Sequence, residues 1–231
     1  MFLGHYGAAL AAKRAAPSAS LGALVFGAQL LDLVWPLFLL AGVERVRIAP
    51  GLMAASALDF VHYPWSHSLL MAAVWAAVGG AGYLLARRYP RGAWLVAGLV
   101  LSHWLLDVPF HRPDLPLWPG SEALVGGGLW NSIAATLLLE FGLLALGVAL
   151  YLRATTARDG IGRWGLWGGV AVLALFYLGS LAGPPPDERA LAFGGLALWL
   201  FVPWGWWVDA HRTSTSPTPA PRSAPVSGRH R

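Results

Sequence analysis

Long uncharged stretches alternate with short polar clusters along this chain. Leu21–Ala41 is apolar save for Gln29 and Asp32, and Leu69–Ala86 has no charge. Gly92–Val108 is apolar apart from His103 and Asp107, and Ser132–Leu152 carries only Glu140. Trp164–Ala182 and Ala190–Val208 carry no charge at all. Each stretch matches or approaches the ~20 residues that cross a bilayer's hydrocarbon core. Before them, Pro17-Ser-Ala-Ser20 reads as a turn that closes a short N-terminal helix. The pattern predicts an all-α fold: a polytopic transmembrane helix bundle of about six spans plus that short helix. The stretch from His211 to Arg231 is rich in Ser, Thr, Pro and Arg and reads as a disordered tail. The expected organisation is a membrane core over 1–152, two further spans over 153–210, and the tail over 211–231.

Composition agrees with bilayer residence. Of 231 residues, 57% are hydrophobic and 12% charged, against about 25% charged in a soluble domain. The net charge of +5 sits in short clusters between apolar runs. That placement suits loops facing anionic lipid rather than nucleic acid, which is not an expected partner. If the N-terminus is cytoplasmic, twelve of the 16 Lys and Arg residues fall on the cytoplasmic side and four on the other. This positive-inside bias predicts an even number of spans with both termini in the cytoplasm. No cysteine is present, so any metal would be held by His, Asp or Glu.

Ionisable groups inside spans cost about 2.5–3.5 kcal/mol each on insertion scales. Asp32, His103, Asp107 and Glu140 therefore call for a reason. Counted at about 1.5 Å per residue, His5 and Asp32 both lie roughly 18–20 Å from the Pro17–Ser20 turn. His103 lies roughly 16 Å along its span, and Glu140 about 20 Å from Arg153. Asp107 stands at i+4 from His103 on the same helix face. His62 and His67 precede the second span, where Pro64 breaks helix and lets the chain dip inward. The candidate metal ligands are His5, Asp32, His62, His67, His103 and Asp107, with His111 and Glu140 outside them. This nitrogen and oxygen set suits zinc first, or manganese or magnesium, and suits more than one ion. Asp107 or Glu140 is the candidate general base. Trp65, Trp104, Phe110 and Trp118 are candidates for an apolar mouth. Ser66 lacks the surroundings of a nucleophile elbow.

At these residues the chain resembles a family of bacterial inner-membrane proteins described as metal-dependent hydrolases and named for a LexA-binding member. The resemblance rests on Gly4-His5, Leu-Leu-Asp32-Leu, Ser66-His67-Ser-Leu-Leu, Leu-Ser-His103-Trp-Leu-Leu-Asp107 and Leu115-Pro-Leu-Trp-Pro119. It covers roughly residues 1 to 150. It implies an inner-membrane location and, through a distant similarity to zinc-dependent phospholipase C, hydrolysis of a phosphoester. Where the family pattern reads His-Arg-x-x-Thr-His, this chain has His62-Tyr-Pro-Trp-Ser-His67. The arginine is gone, and Arg112 is the candidate substitute.

Two functions fit these features. One is a membrane-embedded metal-dependent hydrolase acting on an ester or phosphoester, as a small or lipid-linked substrate. The alternative is a proton- or cation-coupled transporter, or a membrane protein without catalysis, in which the same groups form an ion path. Against a transporter, the chain shows no inverted repeat and no matched pair of broken spans.

Overall fold

A computed structural model describes residues 1–215. The expected tail from residue 216 onward lies outside them. Helix α1 (Leu3–Ala12) turns at 13–20 into α2 (Leu21–Leu40). A hairpin of β1 (Arg45–Ile48) and β2 (Leu58–His62) leads to the single turn α3 (Pro64–His67). Then come α4 (Leu69–Arg87) and α5 (Pro90–Asp107), joined by a tight reversal. Past the short pair β3 (Leu115–Pro116) and β4 (Leu124–Val125), α6 (Ile133–Ala154) and α7 (Gly160–Ala182) follow. The last pass is built from α8 (Glu188–Leu196), a 3-10 turn (Ala197–Leu200) and α9 (Phe201–Ala210).

The helices start where the sequence offers caps. Ser20, Ser68, Ser132, Asp159 and Asp187 each accept the N–H three residues on, satisfying a donor that the first turn leaves free.

Five helices among the described residues are long and apolar enough to span a membrane. They correspond to five of the six expected spans. The sixth, α5, runs 18 residues beside α4. It is less apolar because it carries Arg91, Ser102, His103 and Asp107. The span poorest in hydrophobicity is thus the one that brings two site residues into the bundle.

Helix α2 is the centre of the bundle. Of its span 61% is buried, against 11% for α4, and it packs on α1, α5, α8 and α9. Helix α1 lies along α6 so closely that Gly7 backs onto the Leu143 carbonyl and Gly147 onto Gly7. No side chain fits at either glycine.

One end of the bundle gathers the basic residues. There Lys13 donates to Asp209 (2.7 Å) and to the Ala19 carbonyl (2.8 Å). The exposed Trp94, Trp164, Trp206 and Trp207 ring this end as interface anchors. Here the structure corrects the expected start of the tail. Strand β6 (Arg212–Ser214) pairs with β5 (Thr155–Ala157), and buried Arg212 donates to Thr155 and to the Gly162 carbonyl. Polar, proline-free sequence concealed a strand whose partner lies 57 residues away.

Candidate metal centre

The site forms where four helices present a polar group to one another: His5 from α1, Asp32 from α2, His67 from α3, and His103 with Asp107 from α5. His5, His103 and Asp107 form one set of converging donor atoms, and Asp32, His67 and His103 form another. His103 belongs to both. All of these except Asp32 are buried, and the Asp32 side chain is 19% exposed against 2% for Asp107.

The spacings decide what the cluster can hold. His5 Nε2 is 3.1 Å from Asp107 Oδ1, and His103 Nε2 is 3.3 Å from Asp107 Oδ2. His67 Nε2 is 3.4 Å and His103 Nε2 3.7 Å from Asp32 Oδ1. Two ligands at about 2.1 Å from a tetrahedral ion are about 3.4 Å apart. The donors therefore stand at the edge lengths of a zinc-sized coordination shell.

Tautomers follow from the outer contacts. A carbonyl only accepts, so the 2.7 Å contact between His103 Nδ1 and the Ala28 oxygen puts the proton on Nδ1. The other nitrogen, Nε2, faces two carboxylates. A second ring proton or a bound cation satisfies that position. His67 is oriented similarly. Its Nδ1 lies 2.7 Å from Ser66 Oγ, whose hydroxyl donates to Glu44 (2.6 Å). Glu44 also accepts the N–H groups of Trp65 and Ser66, and burial pushes its carboxyl up from the usual range. The His5 and His103 rings stack 3.6 Å apart, which disfavours an imidazolium charge on both at once. His5 Nδ1 is buried without a hydrogen-bond partner. The Met1 amino group donates to Asp107 Oδ1 at 2.5 Å, a positive charge set against this acid.

Other expected members fall elsewhere. His62 sits on β2 opposite Arg45 and joins neither set, because strand alternation and Pro64 separate it from His67. Glu140 is buried at this depth but belongs to neither set. It accepts the N–H groups of Phe2 (2.8 Å) and Gly4 (2.9 Å), free donors at the start of α1. It thereby fixes the helix that carries His5. Arg112 is not free for a substrate phosphate: it pairs with Asp59 and with Asp114, and Asp59 also takes Arg47. His111 bonds Asp114 at 3.0 Å, and burial lowers its pKa.

A cavity of about 570 Å3 lies over the cluster, within the roughly 300–1,000 Å3 of small-molecule pockets. Asp32, His67, Asp107, His111 and Glu140 supply its polar surface. Its aromatic wall is Phe2, Trp35, Phe60, Trp130, Phe176 and Tyr177. The expected wall is not there. Trp65 and Trp118 are exposed, while Trp104 and Phe110 pack in the core. Trp35 and Pro36, one turn beyond Asp32, were the available signal. Proline has no N–H to give the Asp32 carbonyl, so α2 is weakened there and opens to the cavity.

The YdjM inner membrane protein family matches the chain over residues 1–185, and the chain belongs to that family. The match takes in every residue of both donor sets and ends just past α7. No curated protein and no solved structure matches the chain.

Proposed function

We propose that this member of the YdjM inner membrane protein family is a membrane-embedded metal-dependent hydrolase of an ester or phosphoester. The candidate ligands are His103 together with His5 and Asp107 on one side and with Asp32 and His67 on the other. The observation that carries this reading is His103 Nε2, which faces two carboxylates while the other nitrogen of the ring is committed to Ala28. His103 belongs to both donor sets, so an ion bound through its Nε2 draws on one set at a time. Zinc fits the spacing best.

Bound zinc supplies Lewis acidity and lowers the pKa of a coordinated water to about 7. Asp32 is the better placed base, because its side chain reaches the cavity while that of Asp107 is enclosed. Its Oδ2 has no protein hydrogen-bond partner among the described residues and is free to take the proton of the attacking water. That proton passes to the departing alcohol, so water is added across the ester and an acid and an alcohol leave. Ser66 and Ala28 hold two imidazoles in register, and Glu140 holds the third through α1. The basic end of the bundle faces the cytoplasm, in accord with the positive-inside bias.

Metal analysis of detergent-purified protein tests this reading. Wild type is expected to carry close to one ion per chain, and His103→Ala to carry none while keeping its elution volume. Wild type that takes up no divalent ion under any loading condition would refute the proposal. Proton-driven uptake into proteoliposomes by such a metal-free protein would instead establish the transporter.

A further inference from the structure

The cavity has an opening that the metal chemistry does not need. Helix α7 packs on α9 toward the basic end, where Trp204 donates to the Gly165 carbonyl. Toward the other end, α7 and α8 hardly meet. The cavity fills the slot between them. Leu175, Phe176 and Gly179 line it from α7, and Leu191, Gly194 and Leu198 from the last pass. Leu175 is 70% exposed and sits about 10 Å inside the end of α7, so the slot faces lipid rather than water. The hairpin connection at Ala55–Leu58, with Phe60, covers the route from the loop end.

Polarity grades along the cavity. The slot is apolar, and the floor holds the acids and imidazoles. Between them stand the rings of Trp35 and Tyr177, whose polar atoms are enclosed. Both residues are at least nine-tenths buried.

We infer that the substrate is a membrane lipid ester. Its acyl chain lies in the slot between α7 and α8, and its oxygen-rich headgroup rests on the floor of acids and imidazoles. The inference rests on the hydrolase reading for its chemistry, but occupancy of the slot is measurable without turnover. A phosphate ester and a carboxylic ester both present oxygen atoms to that floor, and the test separates them.

Two glycines make the test clean. A Cβ at Gly179 or at Gly194 meets nothing within 4 Å, so larger residues there project into open space and leave the bundle intact. Zinc-loaded protein in phosphatidylcholine nanodiscs is irradiated with a trace of phosphatidic acid, or of monoacylglycerol, carrying a diazirine in the acyl chain. With at least one lipid, label is expected on inward-facing Trp35 and Leu198. Gly194→Trp and Gly179→Leu should each reduce it at least tenfold, leaving label on exposed Leu138 and Trp94 unchanged. The lipid that labels the interior identifies the headgroup class. Interior residues unlabelled by both lipids, or labelled equally in both variants, would overturn the inference even in protein that holds zinc and turns over soluble esters. Failure of the hydrolase reading looks different: interior labelling persists, and wild type lacks metal and turnover.

Discussion

The Nδ1 of His103 donates to the carbonyl of Ala28, 2.7 Å away across the α2–α5 contact. This bond fixes the imidazole tautomer and points the other nitrogen at Asp32 and Asp107. Removing the ring removes the ligand common to both donor sets. His103→Ala is expected to lower metal affinity by more than the roughly 10–100-fold typical of outer-shell changes. Equilibrium dialysis against a zinc buffer measures it, and an unchanged affinity would displace His103 from the site.

Glu140 separates a positioning role from a catalytic one. Its carboxylate takes two N–H groups at the start of α1. Glu140→Ala should weaken zinc binding roughly 10–100-fold by loosening His5, whereas Glu140→Gln, which keeps an acceptor oxygen, should do so less. A general base would behave differently. The Gln variant would then hold zinc normally and lose turnover, and that pattern would count against the capping role.

Ser66 links His67 to Glu44 through two short hydrogen bonds. Ser66→Ala leaves the buried Glu44 short of a donor and His67 Nδ1 without its acceptor. Zinc affinity is expected to fall about 10-fold, with helix content unchanged by circular dichroism. An affinity equal to wild type would show that His67 is held by packing alone.

The α1–α6 contact should tolerate no side chain at its centre. Gly7 lies against the Leu143 carbonyl and Gly147 against Gly7. Gly147→Leu is expected to cost about 1–3 kcal/mol, as overpacking does, and to release zinc by shifting His5. A thermal melt in detergent, with metal content read alongside, checks both effects. A melt and metal content like those of wild type would mean the helices are further apart.

Orientation is tested with single cysteines, since the chain has none of its own. Arg91 lies at the basic end and Glu122 at the other, and both are exposed. In intact spheroplasts an impermeant maleimide should label Glu122→Cys and not Arg91→Cys. The reverse pattern would invert the proposed topology.

Much of this site was legible because helices convert sequence distance into depth. His5, Asp32, His103 and Asp107 could be levelled by counting rise along three helices from one end of the bundle, and the structure brings them together. His67 was harder to place because its depth depends on how 42–66 folds back, which a hairpin and a proline settle. Features set by contacts between distant segments were not legible. The capping of α1 by Glu140 joins residues 136 apart. The cavity wall comes largely from α7 and α8, whose apolar sequence looks the same whether it faces lipid or a slot. His62 joins neither set because it ends strand β2, and Pro64 starts a separate turn that carries His67.

X-ray absorption at the zinc K-edge of the loaded wild-type protein tests the central claim most directly. The account predicts one zinc per chain with only nitrogen and oxygen neighbours at about 2.0–2.2 Å and the outer-shell scattering of at least two imidazoles. That imidazole signal should vanish together with the bound zinc in His103→Ala. A spectrum of fully hydrated zinc without imidazole scattering, or one unaltered by His103→Ala, would contradict it.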